Sequence, residues 1–294
     1  MHIMLRNCTD CKRLSSTDDP LENLFRTKSE VEKAIAEAAP TGAPEGSGLW
    51  IMPSYINHSC WPNSVRSFLG DLLIVRAARD ISEGGEITIN YIENRAGVQE
   101  RQKAFYTEWG FNCECTLCQV EVAESQEVQD KRQELIEKAL KFKVYFKQSV
   151  KKSNSAIAPL TTLIKGIEAT YAKPEFIHPR ILLLSPTDIL QTFFVRAERP
   201  QDVFLLAKQT LNRLGFKITT KGRKVVIERY GYMGYLVMRV FIHVITAGAM
   251  AGDLWTAILW KNIAIKAYEV LVGERESFFD AWGRALLQAG VPVN

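Results

Sequence analysis

The stretch "YINHSCWPN", residues 55–63, places several groups that can bind a ligand next to one another. Asn57 offers an amide, His58 an imidazole and Cys60 a thiol. A second stretch, "FNCECTLC" at residues 111–118, contains three more cysteines. The two stretches raise the question of whether Cys60 and the later cysteines form one site, and what the Asn-His pair would then hold.

The cysteine spacing within residues 113–118, Cys-x-Cys-x-x-Cys, is typical of a metal site. Three thiolates this close together can occupy three corners of a tetrahedron around one zinc ion, with zinc–sulfur bonds of about 2.3 Å. Closed structural zinc sites have four ligands. Cys60 is a better fourth ligand than Cys8 or Cys11, because it lies beside Pro62 in a stretch that we expect to be ordered. The alternative is that the cysteines are reduced and pack as small apolar side chains.

Cys8 and Cys11 have the spacing Cys-x-x-Cys, which supplies two of the four ligands in many zinc sites. No further histidine or cysteine pair remains nearby to complete a second site. This favours two exposed or incidental thiols in a polar segment, and half of a second metal site is the alternative.

Composition limits the function classes. With 294 residues and 47% hydrophobic residues, the chain can bury a core in one large domain or in two ordinary ones. The net charge is only +4 and no long basic run occurs, so we expect no direct binding of nucleic acid. The sequence shows no signal peptide and no run of about 18 apolar residues, so we expect no membrane association and a cytoplasmic or nuclear location, or both.

The residue pattern in the first third of the chain divides it into two segments. Residues 1–45 form a variable N-terminal segment, in which Ser29 and Glu32 suggest a capped short helix before the Gly/Pro-rich loop "PTGAPEGSG". In residues 46–94, short apolar runs such as "LLIVRAA" and "EITINYI" alternate with turn signals, which predicts strands. One predicted hairpin turns at Gly70-Asp71.

From residue 95 onwards the pattern is helical. Residues 95–124 contain an amphipathic stretch and the cysteines, and residues 125–294 consist almost entirely of helix-period segments. Successive helices of this kind suggest a bundle or a tetratricopeptide-like solenoid, although no clean 34-residue repeat occurs. The dipeptide His178-Pro179 is interpreted as a helix boundary only. The predicted helices cover residues 126–150, 159–171, 186–198, 200–214, 224–250, 253–272 and 276–289.

Three stretches, taken in order and spacing, resemble the second half of a SET domain with its post-SET cysteines. They are "GLWIMPSYINHSCWPN", "GGEITINYI" and "FNCECTLC". SET domains are protein-lysine methyltransferases that use S-adenosylmethionine. The Gly-Leu-aromatic lead-in and the cysteine spacing are similar to the SMYD-like branch, and the long helical part is similar to the tetratricopeptide-like region of fungal SET proteins. The implied fold is α+β, with part of a SET β-fold over 46–94, a post-SET zinc-binding segment over 95–124 and an all-α region over 125–294.

The resemblance also implies roles for particular residues. Asn57 and His58 would hold S-adenosylmethionine, and Tyr91 would lie at the mouth of the channel for the lysine side chain. Cys60 would complete a zinc site with the three cysteines of residues 113–118. One metal would then hold the post-SET loop against the donor site, so that loss of zinc disorders both. The alternative for Tyr91 is a strand aromatic in the core. The implied zinc ligands are Cys60, Cys113, Cys115 and Cys118.

Two departures from the family pattern affect the functional prediction. Trp109 stands where SMYD-like proteins usually have a tyrosine, and the 56 residues before Asn57 contain nothing similar to the Gly-x-Gly segment that begins a SET domain. We therefore predict a protein-lysine N-methyltransferase that is impaired by the missing first half of the domain and binds S-adenosylmethionine weakly. The alternative is an inactive SET remnant that acts as a protein-interaction scaffold through its helical region. The expected partner is a protein, either as lysine substrate or as a ligand of the helices.

Overall fold

Short strands form the first part of the molecule and helices form the rest. The computed structural model describes residues 9–10, 47–69, 72–92, 96–147, 150–175, 177–221 and 224–293. Cys8, Cys11, the predicted capped helix and the Gly70-Asp71 turn lie outside the described residues. The first six strands are β1 Thr9–Asp10, β2 Ser47–Gly48, β3 Asn57–His58, β4 Ser64–Leu69, β5 Leu72–Ala77 and β6 Thr88–Ile89.

These strands pair two by two. β1 and β2 are antiparallel, and β4 and β5 form the expected antiparallel hairpin, with Ser64 opposite Ala77. β3 pairs with β6 in parallel, so that Asn57 lies opposite Thr88 and His58 opposite Ile89. Because parallel neighbours need a long crossover connection, the whole β4–β5 hairpin lies between these two partners in the chain. The parallel pair brings the Asn-His dipeptide close to the segment that leads into Tyr91.

The helices follow in sequence order, and several start at recognisable caps. The Ser125 hydroxyl accepts a hydrogen bond from the Val128 amide at 3.4 Å, and the Asp253 carboxylate accepts one from the Thr256 amide at 3.0 Å. Short 3₁₀ helices occur at Pro53–Tyr55, Lys141–Lys147 and Ile181–Leu183. The helices are α1 Val98–Trp109, α2 Thr116–Val122, α3 Gln126–Leu140, α4 Val150–Glu168, α5 Leu184–Arg196, α6 Pro200–Arg213, α7 Tyr235–Met250, α8 Leu254–Val272 and α9 Phe278–Gln288.

The predicted helix over 224–250 is wrong at its start. Strands β7 (Lys217–Lys221) and β8 (Lys224–Arg229) form an antiparallel hairpin there, and α7 begins only at Tyr235. β8 contains the run Val-Val-Ile, whose β-branched side chains favour strands. The glycines at 231 and 234 then separate this hairpin from the helix.

Two other predicted helix boundaries also differ from the structure. The predicted helix over 126–150 ends as an α-helix at Leu140 and continues as a tighter turn. The predicted helix over 159–171 begins earlier, at Val150, and Pro159 lies inside it instead of at its start. A proline is favoured in the first turn of a helix but is not confined to it, and Pro159 was therefore a poor marker of where this helix starts.

The helical part packs mainly between neighbours in the chain. Each of α3 to α7 contacts the helix that follows it. The β7–β8 hairpin interrupts this succession between α6 and α7. A mixed α and β fold is therefore confirmed, while a tetratricopeptide-like arrangement remains a prediction. Among the described residues, no helix combines the length and the apolar character needed to cross a bilayer.

Strands and late helices share one hydrophobic core. Cys60 and Val65 from the strand region are buried together with Phe105 of α1 and with Phe241 and Trp260 of the late helices. Helix α8 packs against β4 and β5. A second core lies between α3, α4, α5 and α6. The cysteine-bearing segment is therefore enclosed on one side by strands and on the other by helices.

Candidate functional site

A set of polar contacts fastens the motif at residues 57–64 to the strand before Tyr91. The Ser59 amide donates to the Ile89 carbonyl at 3.0 Å. The Asn63 side chain accepts from the Thr88 amide at 2.9 Å and donates to the Glu86 carbonyl at 2.8 Å. These contacts explain why a two-residue strand such as β3 holds a defined position.

The structure brings together the four cysteines that the sequence analysis assigned to one site. The sulfur atoms of Cys60, Cys113, Cys115 and Cys118, here called the four-cysteine cluster, all lie within 4.8 Å of one another. Zinc–sulfur bonds of about 2.3 Å in a tetrahedron would separate the sulfurs by about 3.8 Å. The Cys60 and Cys118 sulfurs are 3.5 Å apart. Four soft sulfur ligands at this spacing fit zinc.

The thiols of the cluster influence one another's protonation. Hydrogen bonds from Cys115 and Cys118 lower the pKa of the Cys113 thiol well below its usual range. Hydrogen bonds with Cys113, Cys115 and Cys118, together with burial, raise the pKa of Cys60. The thiols therefore differ in how readily they lose a proton, and a metal that binds all four would have to displace the proton of Cys60.

His58 connects the four-cysteine cluster to Tyr91. The Tyr91 amide donates to His58 Nδ1 at 3.0 Å, so Nδ1 is an acceptor and the ring proton lies on Nε2. Nε2 is 3.3 Å from the Cys60 sulfur and donates to it. The ring is buried and packs against Phe105, with the ring centres 4.2 Å apart. Both ring nitrogens of His58 are thus used inside the protein.

A cleft of about 910 Å³ lies beside this arrangement. Asn57, His58 and Tyr91, the three residues predicted to bind the donor and the acceptor, line this cleft. Residues 109–116 also line it, including Trp109, Phe111, Cys113 and Cys115. The predicted site residues and part of the four-cysteine cluster therefore border the same space.

Tyr91 is half-buried in this cleft, and its hydroxyl donates to the Ile56 carbonyl at 2.7 Å. Burial raises the pKa of Tyr91, the Arg66 guanidinium opposes the shift and the Glu86 carboxylate adds to it, with a net increase. The phenol therefore keeps its proton at neutral pH. Because that proton is directed at Ile56, the oxygen lone pairs of Tyr91 remain to accept a hydrogen bond from a ligand.

Aromatic rings surround the Tyr91 side chain. Its ring centre is 5.6 Å from that of Trp109 and 6.5 Å from that of Phe111, which meets it edge to face. The Phe105 ring stacks on Phe111 with centres 5.5 Å apart. The Tyr91 ring thus packs among aromatic rings, and Trp109 occupies the place where the resemblance led us to expect a second tyrosine.

Sequence reasoning missed Glu86, which also lines the cleft. The Asn57 side-chain amide donates to Glu86 Oε1 at 2.6 Å, which leaves Asn57 Oδ1 as its acceptor group. The sequence feature that could have drawn attention to Glu86 is the turn at Gly84-Gly85 directly before it. Only the parallel register of β3 and β6 places that carboxylate beside Asn57, and the sequence does not reveal this register.

Arg79 is a second cleft residue that the sequence analysis did not single out. Its guanidinium donates to the Trp61 carbonyl at 2.7 Å and lies 4.6 Å from the centre of a Trp61 ring. The cleft thus contains both a cationic and an anionic side chain. Arg79 also joins the motif at residues 55–63 to the end of the β4–β5 hairpin.

Comparison with known proteins gives the family context of this site. Residues 3–92 match the SET domain family, a range that includes most of the segment set apart above as residues 1–45. The chain is 29% identical over 245 residues to a methyltransferase of Gibberella zeae, covering 79% of this chain and 32% of that protein. It is 44% identical over 75 residues to the histone-lysine N-methyltransferase ASHR1 of Arabidopsis thaliana, covering 26% of this chain and 16% of that protein.

A third relative is the histone-lysine N-methyltransferase SMYD3 of Homo sapiens, which is 33% identical over 128 residues, with 39% of this chain and 30% of that protein covered. The chain spans about a third, or less, of the length of these relatives. The matched SET segment contains the Asn-His motif and Tyr91, and the SMYD-type relatives support the branch suggested by the cysteine spacing. The chain thus contains a segment that matches the SET domain family, and it is similar to SMYD-type methyltransferases.

Proposed function

We propose that the protein is an S-adenosylmethionine-dependent protein-lysine N-methyltransferase that works in the cleft between β3, β6 and residues 109–116. The observation that carries the proposal is that Asn57, His58 and Tyr91 line one cleft together with Cys113 and Cys115 of the four-cysteine cluster. The names of the relatives support the same reaction class. In this reading the SET core covers 46–94, the post-SET segment 95–124 and the helical region 125–294.

The cleft fits the size and chemistry of the methyl donor. Its volume of about 910 Å³ is at the upper end of the range for small-molecule sites, roughly 300–1,000 Å³. Asn57 Oδ1 and the Glu86 carboxylate can accept hydrogen bonds from an ammonium group, and Phe111 offers an aromatic face. When bound, S-adenosylmethionine supplies a methyl carbon on a cationic sulfur, which leaves as a neutral thioether.

Tyr91 would orient the acceptor amine. A free lysine has a pKa near 10.4, so the site must favour the neutral amine before methyl transfer. The rings of Trp109 and Phe111 around Tyr91 lower the local polarity, which disfavours the ammonium form. The Tyr91 oxygen would accept a hydrogen bond from the amine N–H and thereby direct the lone pair of the amine nitrogen, while the phenol itself stays protonated.

His58 would act through position. Since both ring nitrogens are bonded to Tyr91 and Cys60, the imidazole fixes the backbone at the start of the cleft. Its contact with the donor would then be made by its backbone. A zinc ion held by Cys60, Cys113, Cys115 and Cys118 would join the segment after β3 to residues 113–118, so that loss of the metal would also disorder the donor site.

The helical region would present surface to a protein, as lysine substrate or as partner. Two of the relatives are named histone-lysine N-methyltransferases, which supports a protein substrate and action in the nucleus or the cytoplasm.

Donor binding tests the proposal at its first step. We expect titration of S-adenosylmethionine into the zinc-loaded chain, followed by calorimetry, to give saturable binding. Asn57→Ala should weaken it roughly tenfold or more, because the substitution removes the acceptor and leaves Glu86 unpaired. Asn154→Ala, at an exposed position on α4, serves as the control and should bind like the parent protein. Absence of binding to the zinc-loaded parent protein would contradict the proposal.

A further inference from the structure

A buried arginine touches the four-cysteine cluster from the side of α1. Arg101 is only 2% exposed. Its Nη2 contacts the Cys118 sulfur at 3.7 Å and forms an ion pair with the Glu121 carboxylate. Its Nη1 donates to the Ala96 carbonyl at 2.7 Å. One guanidinium thus connects a cysteine, a carboxylate and the start of a helix.

The carboxylate partner of Arg101 is itself held by a buried histidine. Glu121 Oε1 lies 3.2 Å from Nε2 of His178, a side chain with no exposed surface. On its other side, His178 Nδ1 is 3.7 Å from Glu124 Oε1. His178-Pro179 was predicted from the sequence to be a helix boundary only, whereas the His178 ring lies between two carboxylates in the structure.

The chain of charges ends in the helical region. Glu124 accepts two hydrogen bonds from Arg132 of α3, at 2.7 and 2.9 Å. Arg132 also donates to the Thr170 carbonyl at 2.8 Å and lies 3.9 Å from the centre of the Tyr171 ring. A continuous path of polar contacts therefore runs from the Cys118 sulfur to the end of α4.

The charges of the metal site and of Glu121 give a physical reason for a buried arginine at position 101. Burying a guanidinium costs several kcal/mol unless it is paired and hydrogen-bonded. A zinc ion with four thiolates carries a net charge of about −2, and it would lie beside the buried carboxylate of Glu121. Arg101 stands between these two anionic groups. Hydrogen bonds to ligand atoms from neighbouring residues commonly set metal affinity in such centres.

We infer that Arg101 is a positioning residue of the metal centre: it donates to the Cys118 sulfur, its charge offsets that of the metal–thiolate group, and Glu121 and His178 hold its guanidinium in place. The inference rests on the zinc site proposed above and extends it to the helices. The metal centre would then include supporting side chains on α1, on α2 and in the segment before α5.

Zinc competition with a chromophoric chelator tests this role without any dependence on activity. Arg101→Met removes the donor and the charge, and we expect zinc affinity to fall roughly 10- to 100-fold. Arg132→Met is the matched control, since it removes a buried, carboxylate-paired arginine that does not touch sulfur. We expect it to lower the melting temperature while zinc affinity stays within about twofold of the parent protein, because its contacts do not reach the ligands.

Cobalt substitution supplies a readout that a purely structural role would not move. Losing the N–H donor to the Cys118 sulfur should shift the sulfur-to-cobalt charge-transfer band to lower energy in Arg101→Met and leave it in place in Arg132→Met. If Arg101→Met does not fold, Arg101→Lys replaces it, because one ammonium cannot serve Cys118, Glu121 and Ala96 in the same geometry.

The outcomes separate the two proposals. A parent protein that binds no zinc under reducing conditions would remove the proposed metal site itself. A parent protein that binds zinc, with affinity and cobalt band unchanged by both Arg101 substitutions, would overturn the role of Arg101 alone. Equal losses in Arg101→Met and Arg132→Met would also overturn it, since the effect would then be general destabilisation.

Discussion

Asn57 has its side chain oriented by Glu86, which follows it by 29 residues in the chain. The cysteine spacing was sufficient to propose the four thiols that the structure brings together, and the resemblance to SET domains proposed Asn57, His58 and Tyr91, whose roles remain predictions. The sequence could not select Glu86 or Arg101. Their importance comes from contacts across separate elements, which depend on a strand register and a helix packing that no local pattern encodes.

The Asn57–Glu86 contact predicts an effect on donor binding. Glu86→Ala removes both the partner that fixes the Asn57 amide and a negative charge in a cleft proposed to hold a cationic ligand. We expect the affinity for S-adenosylmethionine to fall roughly tenfold or more, as measured by calorimetry. Glu83→Ala removes an exposed carboxylate from the neighbouring turn and provides the control. Equal affinities for the two variants would show that Glu86 does not order the site.

At the level of elements, the segment that follows β3 contacts α2 through cysteine sulfur atoms. Cys60 follows β3 and Cys118 lies on α2, and a metal between them would connect these two elements. The sequence predicted this connection because thiol chemistry is local and specific. The sequence did not predict the β7–β8 hairpin. The β-branched run in β8 has charged residues at both ends, and the segment as a whole was interpreted as one long helix.

Metal removal should therefore act on particular elements. We expect a strong chelator under reducing conditions to increase hydrogen exchange in residues 57–60 and 111–122, while α8 keeps most of its protection because it is held by the shared hydrophobic core. Mass spectrometry of exchanged peptides measures both regions in one experiment. Unchanged exchange around the cysteines after complete zinc removal would disprove the link between the metal and the cleft.

For the whole molecule, the packing of the helical region on the strands decides whether the cleft is supported. Gly273, at the end of α8, has a backbone φ of 100° and lies against β4 and β5. The Arg76 guanidinium donates to its carbonyl. A Cβ at this position would come within 3.1 Å of the Ser67 hydroxyl and 3.2 Å of Ile74 Cδ1. Nothing in the sequence near Gly273 indicated that it contacts the hairpin.

Two glycine substitutions separate backbone strain from this contact. Gly273→Ala and Gly252→Ala both place alanine at a positive φ, but a Cβ at Gly252 would meet no atom within 4 Å. We expect Gly252→Ala to lower the free energy of unfolding by about 1 kcal/mol and Gly273→Ala by about 1 kcal/mol more. Denaturant titration measures both values. Similar values for the two variants would mean that the contact of α8 with the hairpin does not support the fold.

The most direct test of the proposed function is methyl transfer that depends on Tyr91. The zinc-loaded chain would be incubated with S-adenosylmethionine labelled in its methyl group and with a mixture of histone and non-histone proteins, and mass spectrometry would locate the label. We predict methylated lysine, and a loss of roughly 100-fold or more in Tyr91→Phe, since the amine then has no oxygen to orient it. The variant should fold normally, because it loses one part-buried hydrogen bond, worth about 1 kcal/mol. Donor binding without any methylated lysine, or equal labelling by the parent protein and Tyr91→Phe, would contradict the account.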